Sequence, residues 1–315
     1  MIYGNLKEER MRRRKEMSDI LISISFGTIR KGWLENTFRA LGQQTMPHEL
    51  FELVMVDDWG DRWELVERLA KENGVNVKYM KSKPWHWKSN RQLGNARNTS
   101  FIHCDGELVV FLDDYSWVEP GFLATHWDLY KYRDRAVIGV VQAVEANYGE
   151  VFSKANLTPV KDSRDERWKS IYPKHERDNC NPGWFWTFNC SCPLEKIIKV
   201  NGYDERFDAA GEDDVDLGLR MSRVGVKFLY TSDPKIKVYH MKHNGGHSRP
   251  SPFKPEECHR WTKEMLNVRY DGSWGLLEDN ARRKPWEVNQ NYFDLSAARK
   301  NPRGYPVKVY RTWMS

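Results

Sequence analysis

The chain of 315 residues has no apolar run near the roughly 20 residues that a membrane-spanning helix needs. Its uncharged apolar stretches are short, such as Leu108 to Leu112. No charged-then-apolar secretory leader is read at its start. Cysteine is scarce: Cys104, Cys180, Cys190, Cys192 and Cys258 make an odd set of 5. Cys190-x-Cys192 lacks the partner spacing of a zinc site. Reduced thiols in a cytoplasmic protein are therefore expected, and the Asn-x-Ser/Thr triplets at Asn98, Asn156 and Asn189 are chance matches. Neither an internal repeat nor a low-complexity tract occurs. Neither sign of charge dominates, with 50 Lys and Arg against 44 Asp and Glu, a net of +6. That mild basicity suits a polyanionic or nucleotide ligand without demanding one.

Apolar residues make up 40% of the chain and charged residues 30%, so a sizeable core forms and wholesale disorder is excluded. The length suits one large domain or one domain with an extension. Tryptophan is abundant, at 14 residues, and serves either core packing or the lining of sugar and base sites. Residues 1–17 are a basic leader, read as a solvated helix, a frayed end or a nucleic-acid or membrane-surface contact.

From Asp19 the pattern alternates. Ile20 to Phe26, Phe51 to Val56, Val75 to Met80 and Leu108 to Leu112 read as buried strands. Trp33 to Leu41, Trp63 to Ala70 and Leu93 to Ile102 read as helices, the first with Trp33, Leu34, Phe38 and Leu41 on one stripe. Alternation of this kind predicts a mostly parallel α/β sheet, with ligands at the carboxyl ends of its strands. Residues 150–190 show no period. Glu212 to Val224 reads as a helix, Lys227 to Tyr230 and Lys235 to Tyr239 as short strands, and Cys258 to Val268 as helical.

Four acidic or imidazole clusters fall where chemistry is expected. Asp57-Asp58 follows an apolar strand, as a turn cap or as an acceptor for a uracil edge or ribose hydroxyl. Asp113-Asp114 follows a fully apolar strand, where adjacent acids are costly unless they bind something such as Mg²⁺ or Mn²⁺ on a diphosphate. Glu212-Asp213-Asp214-Val215-Asp216 has more acid than helix capping needs and offers a general base. His240 and His243 offer imidazole ligands for a metal.

The order of these segments resembles the GT-A glycosyltransferases, especially inverting family 2, and the second half is similar to the galactosyltransferase C-terminal module. It is carried by Ile22-Ser23-Ile24-Ser25, Val54-Met55-Val56-Asp57-Asp58, Gly94-Asn95-Ala96-Arg97-Asn98 and Val110-Phe111-Leu112-Asp113-Asp114. Asn201-Gly202-Tyr203-Asp204-Glu205-Arg206-Phe207, Gly211-Glu212-Asp213-Asp214-Val215-Asp216-Leu217-Gly218-Leu219-Arg220 and His240 continue it. The resemblance implies a Rossmann-like, nucleotide-sugar-binding sheet in a catalytic domain of residues 18–247, followed by a helical or irregular extension over 248–315. It implies that Asp57 or Asp58 holds the uracil or ribose, that Arg30 lies near the base or diphosphate, and that Arg91 and Arg97 reach the donor sugar or diphosphate. Asp113 matches the first position of the family's Asp-x-Asp metal motif, whose third position here is Tyr115. Asp114 then substitutes by a one-residue shift, with His240, or His243 in another register, completing a Mn²⁺ or Mg²⁺ site. Asp213 is similar to the family's base, Asp214 orients the acceptor and Glu212 supports both. Trp184 and Trp186 sit where such enzymes stack an acceptor sugar. The expected activity is inverting transfer from a UDP-sugar to a glycan or other hydroxyl. The alternatives are a modified nucleic-acid base as acceptor, suggested by the basic leader and the basic tail, and a nucleotide-sugar-binding module without turnover.

Overall fold

The computed structural model describes residues 19–84, 93–131, 135–144, 179–205, 213–241 and 293–312. The chain enters on β1 (Ile22–Thr28) and α1 (Leu34–Gly42), then β2 (Phe51–Asp57), α2 (Trp63–Asn73), β3 (Val77–Met80) and α3 (Leu93–His103). It continues with β4 (Leu108–Asp113), β5 (Ser116–Val118), α4 (Phe122–Tyr130), β6 (Arg135–Ile138) and β7 (Val141–Val144). The second half supplies β8 (Asn189–Pro193), α5 (Leu194–Lys199), α6 (Asp213–Arg223), β9 (Lys227–Tyr230), β10 (Val238–Met241), α7 (Leu295–Lys300) and β11 (Lys308–Tyr310). None of the described helices is long and apolar enough to cross a membrane.

The main sheet runs β11-β3-β2-β1-β4-β8-β6-β9, with β8 and β11 antiparallel to their neighbours. A second sheet runs β5-β10-β7. Period-2 alternation divides the central strands between two cores. Ile22, Ile24, Phe26, Leu53, Met55, Leu108, Val110 and Leu112 face α1, α2 and α4. Val54, Val56, Val109 and Phe111 face α3, α5, α6 and α7. Layers on both faces explain why β1, β2 and nearly all of β4 are buried throughout. Ser25, on the second face, meets Ser100 of α3, with 2.5 Å between the hydroxyls.

Three readings from sequence change in detail. Trp33 leaves the stripe of Leu34, Phe38 and Leu41 and packs instead with Tyr115, Val144, Tyr239 and Met241. The strand expected over 235–239 begins at Val238, because Asp233 caps a 3₁₀ turn at Pro234–Ile236 by accepting from Lys235 N at 2.9 Å. Strand β8 (Asn-Cys-Ser-Cys-Pro) begins in the stretch without period and runs past its end. It carries no aliphatic alternation, and pairing with β4 makes it a strand. The helix expected at 258–268 lies outside the described residues.

The tail adds to the sheet. β11 pairs with β3, setting Lys308 opposite Tyr79. Arg299 of α7 donates to the carbonyls of Phe101 and Ile102, capping the end of α3. Below the sheet, buried Glu52 accepts from Ser23 Oγ at 2.8 Å and from Asp105 N at 2.9 Å. Lys78 Nζ and Arg311 Nη2 approach it to 3.1 and 2.8 Å. Removing one member of such a cluster leaves buried charge uncompensated. Glu52→Ala is expected to cost about 3–5 kcal/mol of unfolding free energy, measured by urea denaturation. A loss under about 1 kcal/mol would show that the tail is not anchored there.

Candidate active site at the carboxyl edge of the sheet

Strand register builds the site. Thr28 lies opposite Asp57 and Gly27 opposite Asp113, so β1, β2 and β4 end together. In an open α/β sheet this edge is where ligands bind. Wholly buried Asp57 accepts from Arg62 Nε and Nη2, both at 2.8 Å, from Tyr79 Oη at 3.0 Å and from Trp59 N at 3.0 Å. Arg62 also donates to the carbonyls of Arg30 and Lys31, lacing the β1 and β2 loops together. Asp58 accepts from Ser82 N at 3.0 Å and Ser82 Oγ at 2.5 Å, which ties in the β3 loop. Both acids, expected to hold a uracil or ribose, are thus engaged in shaping loops, and Asp58 is the one with partial exposure.

Arg30, expected near the base or diphosphate, is instead locked onto Asp114. Its Nε and Nη2 lie 3.1 and 2.5 Å from the two carboxylate oxygens, and Thr28 Oγ1 donates to the same group at 2.7 Å. Asp114, expected to substitute as a metal ligand, is fully buried with both its oxygens taken by Arg30 and Thr28. Tyr115 departs from the metal motif in structure as well, since its ring packs with Trp33 and Met241.

Asp113 keeps a quarter of its side chain exposed. β10 brings His240 opposite Ser116, and Met241 N donates to Tyr115 O at 2.9 Å, so His240 lies beside the turn after Asp113. Burial raises the Asp113 carboxyl, and Arg97 opposes that shift. Burial also lowers His240, against the pull of Asp113 and Asp114, which favours the neutral, ligating imidazole. Among the described residues no three His, Cys, Asp or Glu side chains come together as a metal cage. Asp113 and His240 nevertheless suit Mg²⁺ or Mn²⁺, which take few protein ligands and complete their shell with phosphate oxygens and water. His243 and Arg91 lie outside the described residues.

Arg97, expected at the donor, is wholly buried and reaches across the sheet instead. Its Nη1 donates to the carbonyls of Ser25 and Leu112, and its Nη2 to Asp113 and to Thr187 O at 3.2 Å. Thr187 in turn holds Asp214. Its N–H donates to Oδ2 at 3.1 Å and its hydroxyl to Oδ1. The Tyr203 hydroxyl lies 2.7 Å from Thr187 Oγ1 and 2.9 Å from Asp214 Oδ1, sharing one proton between them. A continuous polar chain therefore runs Asp113–Arg97–Thr187–Asp214. Burial raises the Asp214 carboxyl, and the charge of Asp113 adds to this against the Thr187 and Tyr203 hydrogen bonds. Asp213 is buried beside it at the start of α6, while Glu212 lies outside the described residues.

Trp184 is only 4% exposed and meets Tyr230 edge-on at 6.2 Å in the core, so its faces are not open to a sugar. Half-buried Trp186 tilts against Phe188. The reading from sequence missed Thr28, Arg62, Ser82 and Thr187. Tyr203 lay inside a quoted motif but without a role, and only its place in that motif singled it out.

The model of glycosyl transferase family 2 matches residues 26–193, just over half of the chain. The chain belongs to that family. Among its relatives are two proteins called validoxylamine A glucosyltransferase, from Streptomyces hygroscopicus subspecies limoneus and jinggangensis. Each is 26% identical over 225 residues, 65% of this chain and 49% and 52% of theirs, so the chain spans about half of their length. In fold it is similar to S. aureus TarS 1–349 in complex with UDP-GlcNAc, with a TM-score of 0.54 and 18% identity over 81% of this chain and 69% of that one. It is also similar to GalNAc-T7 with UDP, GalNAc and Mn²⁺, with a TM-score of 0.59 and 16% identity over 89% of this chain and 54% of that one. These neighbours establish the GT-A fold.

If Asp57 shapes the edge, Asp57→Asn strands Arg62 and loosens two loops. A loss of about 2–3 kcal/mol is expected from the broken charge-assisted bonds, read as a lowered melting temperature. An unchanged melting temperature would contradict this role.

Proposed function

We propose that the protein is an inverting glycosyltransferase that moves a sugar from a nucleotide-sugar, a UDP-sugar, to an acceptor hydroxyl. One observation carries this reading: two carboxylates, Asp113 at the end of β4 and Asp214 at the start of α6, are joined through Arg97 and Thr187. That arrangement suits a donor diphosphate on one side and an acceptor hydroxyl on the other. The family membership and the UDP-bound structures of similar fold support the donor class. The validoxylamine A glucosyltransferases support a hydroxyl-bearing small molecule or glycan as acceptor. A nucleic-acid acceptor finds no support in the relatives; of the described basic tail, Arg299 and Arg311 are turned inward onto carbonyls and Glu52, while Lys300, Arg303 and Lys308 stay exposed.

The resemblance puts the base at Asp213; we assign it instead to Asp214, whose carboxylate accepts from three donors, with Asp213 supporting it. Three donors fix the Asp214 side chain, and its raised proton affinity suits the removal of a hydroxyl proton. The acceptor oxygen attacks the anomeric carbon as the bond from that carbon to the diphosphate breaks. The proton passes to Asp214 Oδ2. Asp113 and His240 would hold a divalent cation, which when bound neutralises the leaving diphosphate. Trp186 is the aromatic that remains for the acceptor sugar.

The test is nucleotide release from a panel of nucleotide-sugars with Mn²⁺, Mg²⁺ or EDTA. Release from a UDP-sugar, cut by EDTA, is expected; release from no donor with any acceptor offered would contradict the transferase reading. Asp214→Asn is expected to lower turnover by about 100-fold or more with UDP binding retained. Turnover near that of the natural protein would refute the base.

The raised Asp214 carboxyl also sets a pH dependence. The base works deprotonated, so kcat climbs with pH through a pKa above the ordinary carboxylate range. An acid limb centred near pH 4 would contradict the assignment.

A further inference from the structure

Thr187 is 2% exposed, and every polar atom it carries is engaged at the site. Its N–H and hydroxyl take one oxygen each of the Asp214 carboxylate. Its carbonyl accepts from Arg97 Nη2 at 3.2 Å, and the same nitrogen donates to Asp113. Its hydroxyl oxygen lies 2.7 Å from the Tyr203 hydroxyl. A carboxylate gripped through both oxygens has lost rotation about its last torsion, so the direction of its remaining lone pairs is fixed.

We infer that Thr187 is a positioning residue: it brackets Asp214 on one side and Arg97 on the other, and so sets the distance and aim of the acceptor-side carboxylate relative to the donor-side Asp113. This rests on the reading of Asp214 as base. The local chain is built for such a bracket. Asn181 caps the 3₁₀ turn at Pro182–Trp184 by accepting from Gly183 N at 2.8 Å. The backbone bonds Trp186 N to Trp184 O and Phe188 N to Trp186 O then hold the residues on either side of Thr187. On the far side, Arg220, paired with Asp216 on the same helix at 2.7 Å, fastens α6 to Val200 O, also at 2.7 Å. Asp214 is therefore carried by a helix anchored at Val200 O and meets a loop held by its own backbone bonds, and the Thr187 hydroxyl is one of the contacts between them.

The consequence is a separation of rate from binding. Thr187→Val removes one of the two grips without changing the side chain's volume, and leaves Asp113 and the β1 and β2 loops in place. A misplacement of about 1 Å in a reacting group lowers rate by up to about 100-fold. We expect kcat for nucleotide release to fall about 10- to 100-fold, with the Kd for UDP unchanged by calorimetry. Thr187→Ser, which restores the hydroxyl, recovers most of kcat. Tyr203→Phe, which keeps the ring and removes the shared proton, lowers kcat in the same direction. Thermal melting of each variant confirms that it is folded.

An unchanged kcat in folded Thr187→Val overturns the inference. So does a loss that Thr187→Ser fails to restore, because side-chain shape rather than the hydroxyl is then at work. If Thr187→Val fails to fold, Tyr203→Phe and Thr187→Ser decide it: undiminished kcat in Tyr203→Phe, or a collapsed kcat in Thr187→Ser, overturns the bracket. Asp214→Asn separates the two levels. If Asp214→Asn is inactive and Thr187→Val is not impaired, the bracket alone fails; if Asp214→Asn is active, the base on which it rests fails.

Discussion

A guanidinium buried away from water must find partners for its charge, and Arg97 finds them in four places at once. It donates to Ser25 O on β1, Leu112 O and Asp113 on β4, and Thr187 O ahead of β8. Its plane lies over the Phe111 ring at 5.5 Å. These contacts fasten the ends of two central strands to the loop ahead of β8. Removing the partners one at a time is costly because the charge cannot follow them into water. The carboxyl edge of the sheet is thus organised from below by a cation that does not itself face the cleft.

The same logic distributes the acids. Asp57 is bound to Arg62, Asp114 to Arg30 and Thr28, and Asp58 to Ser82. Each is drawn into shaping a loop. Asp113 and Asp214 are in turn linked to each other through Arg97 and Thr187. On the proposed reading, the diphosphate beside Asp113 and the hydroxyl beside Asp214 would be coupled through this one buried cation.

Much of the sheet was legible in the chain. β4 is an apolar run up to its final Asp, β1 and β2 carry apolar residues broken by Ser23, Ser25 and Glu52, and each acid pair marked a strand end. Which acid of a pair stays available was not legible. That depends on partners distant in sequence, such as Arg30 for Asp114 across 84 residues and Thr187 for Asp214 across 27. Strand β8, with its Cys-Ser-Cys centre, has no period to read and owes its form to pairing with β4. The three-residue edge strand β11 is too short for any pattern, and its pairing with β3 is held by Arg311 and Thr312 at the next positions. Trp184 and Trp186 looked alike in sequence, and only packing separates the core indole from the partly exposed one.

The most direct measurement of the central claim is a crystal structure with UDP and Mn²⁺. The account predicts the nucleotide across the carboxyl ends of β1, β2 and β4, the diphosphate and metal at Asp113 and His240, and Asp214 on the opposite bank with Arg97 still joining the two. Nucleotide bound away from that edge, or Arg97 swung out of the sheet to hold the diphosphate itself, would contradict it.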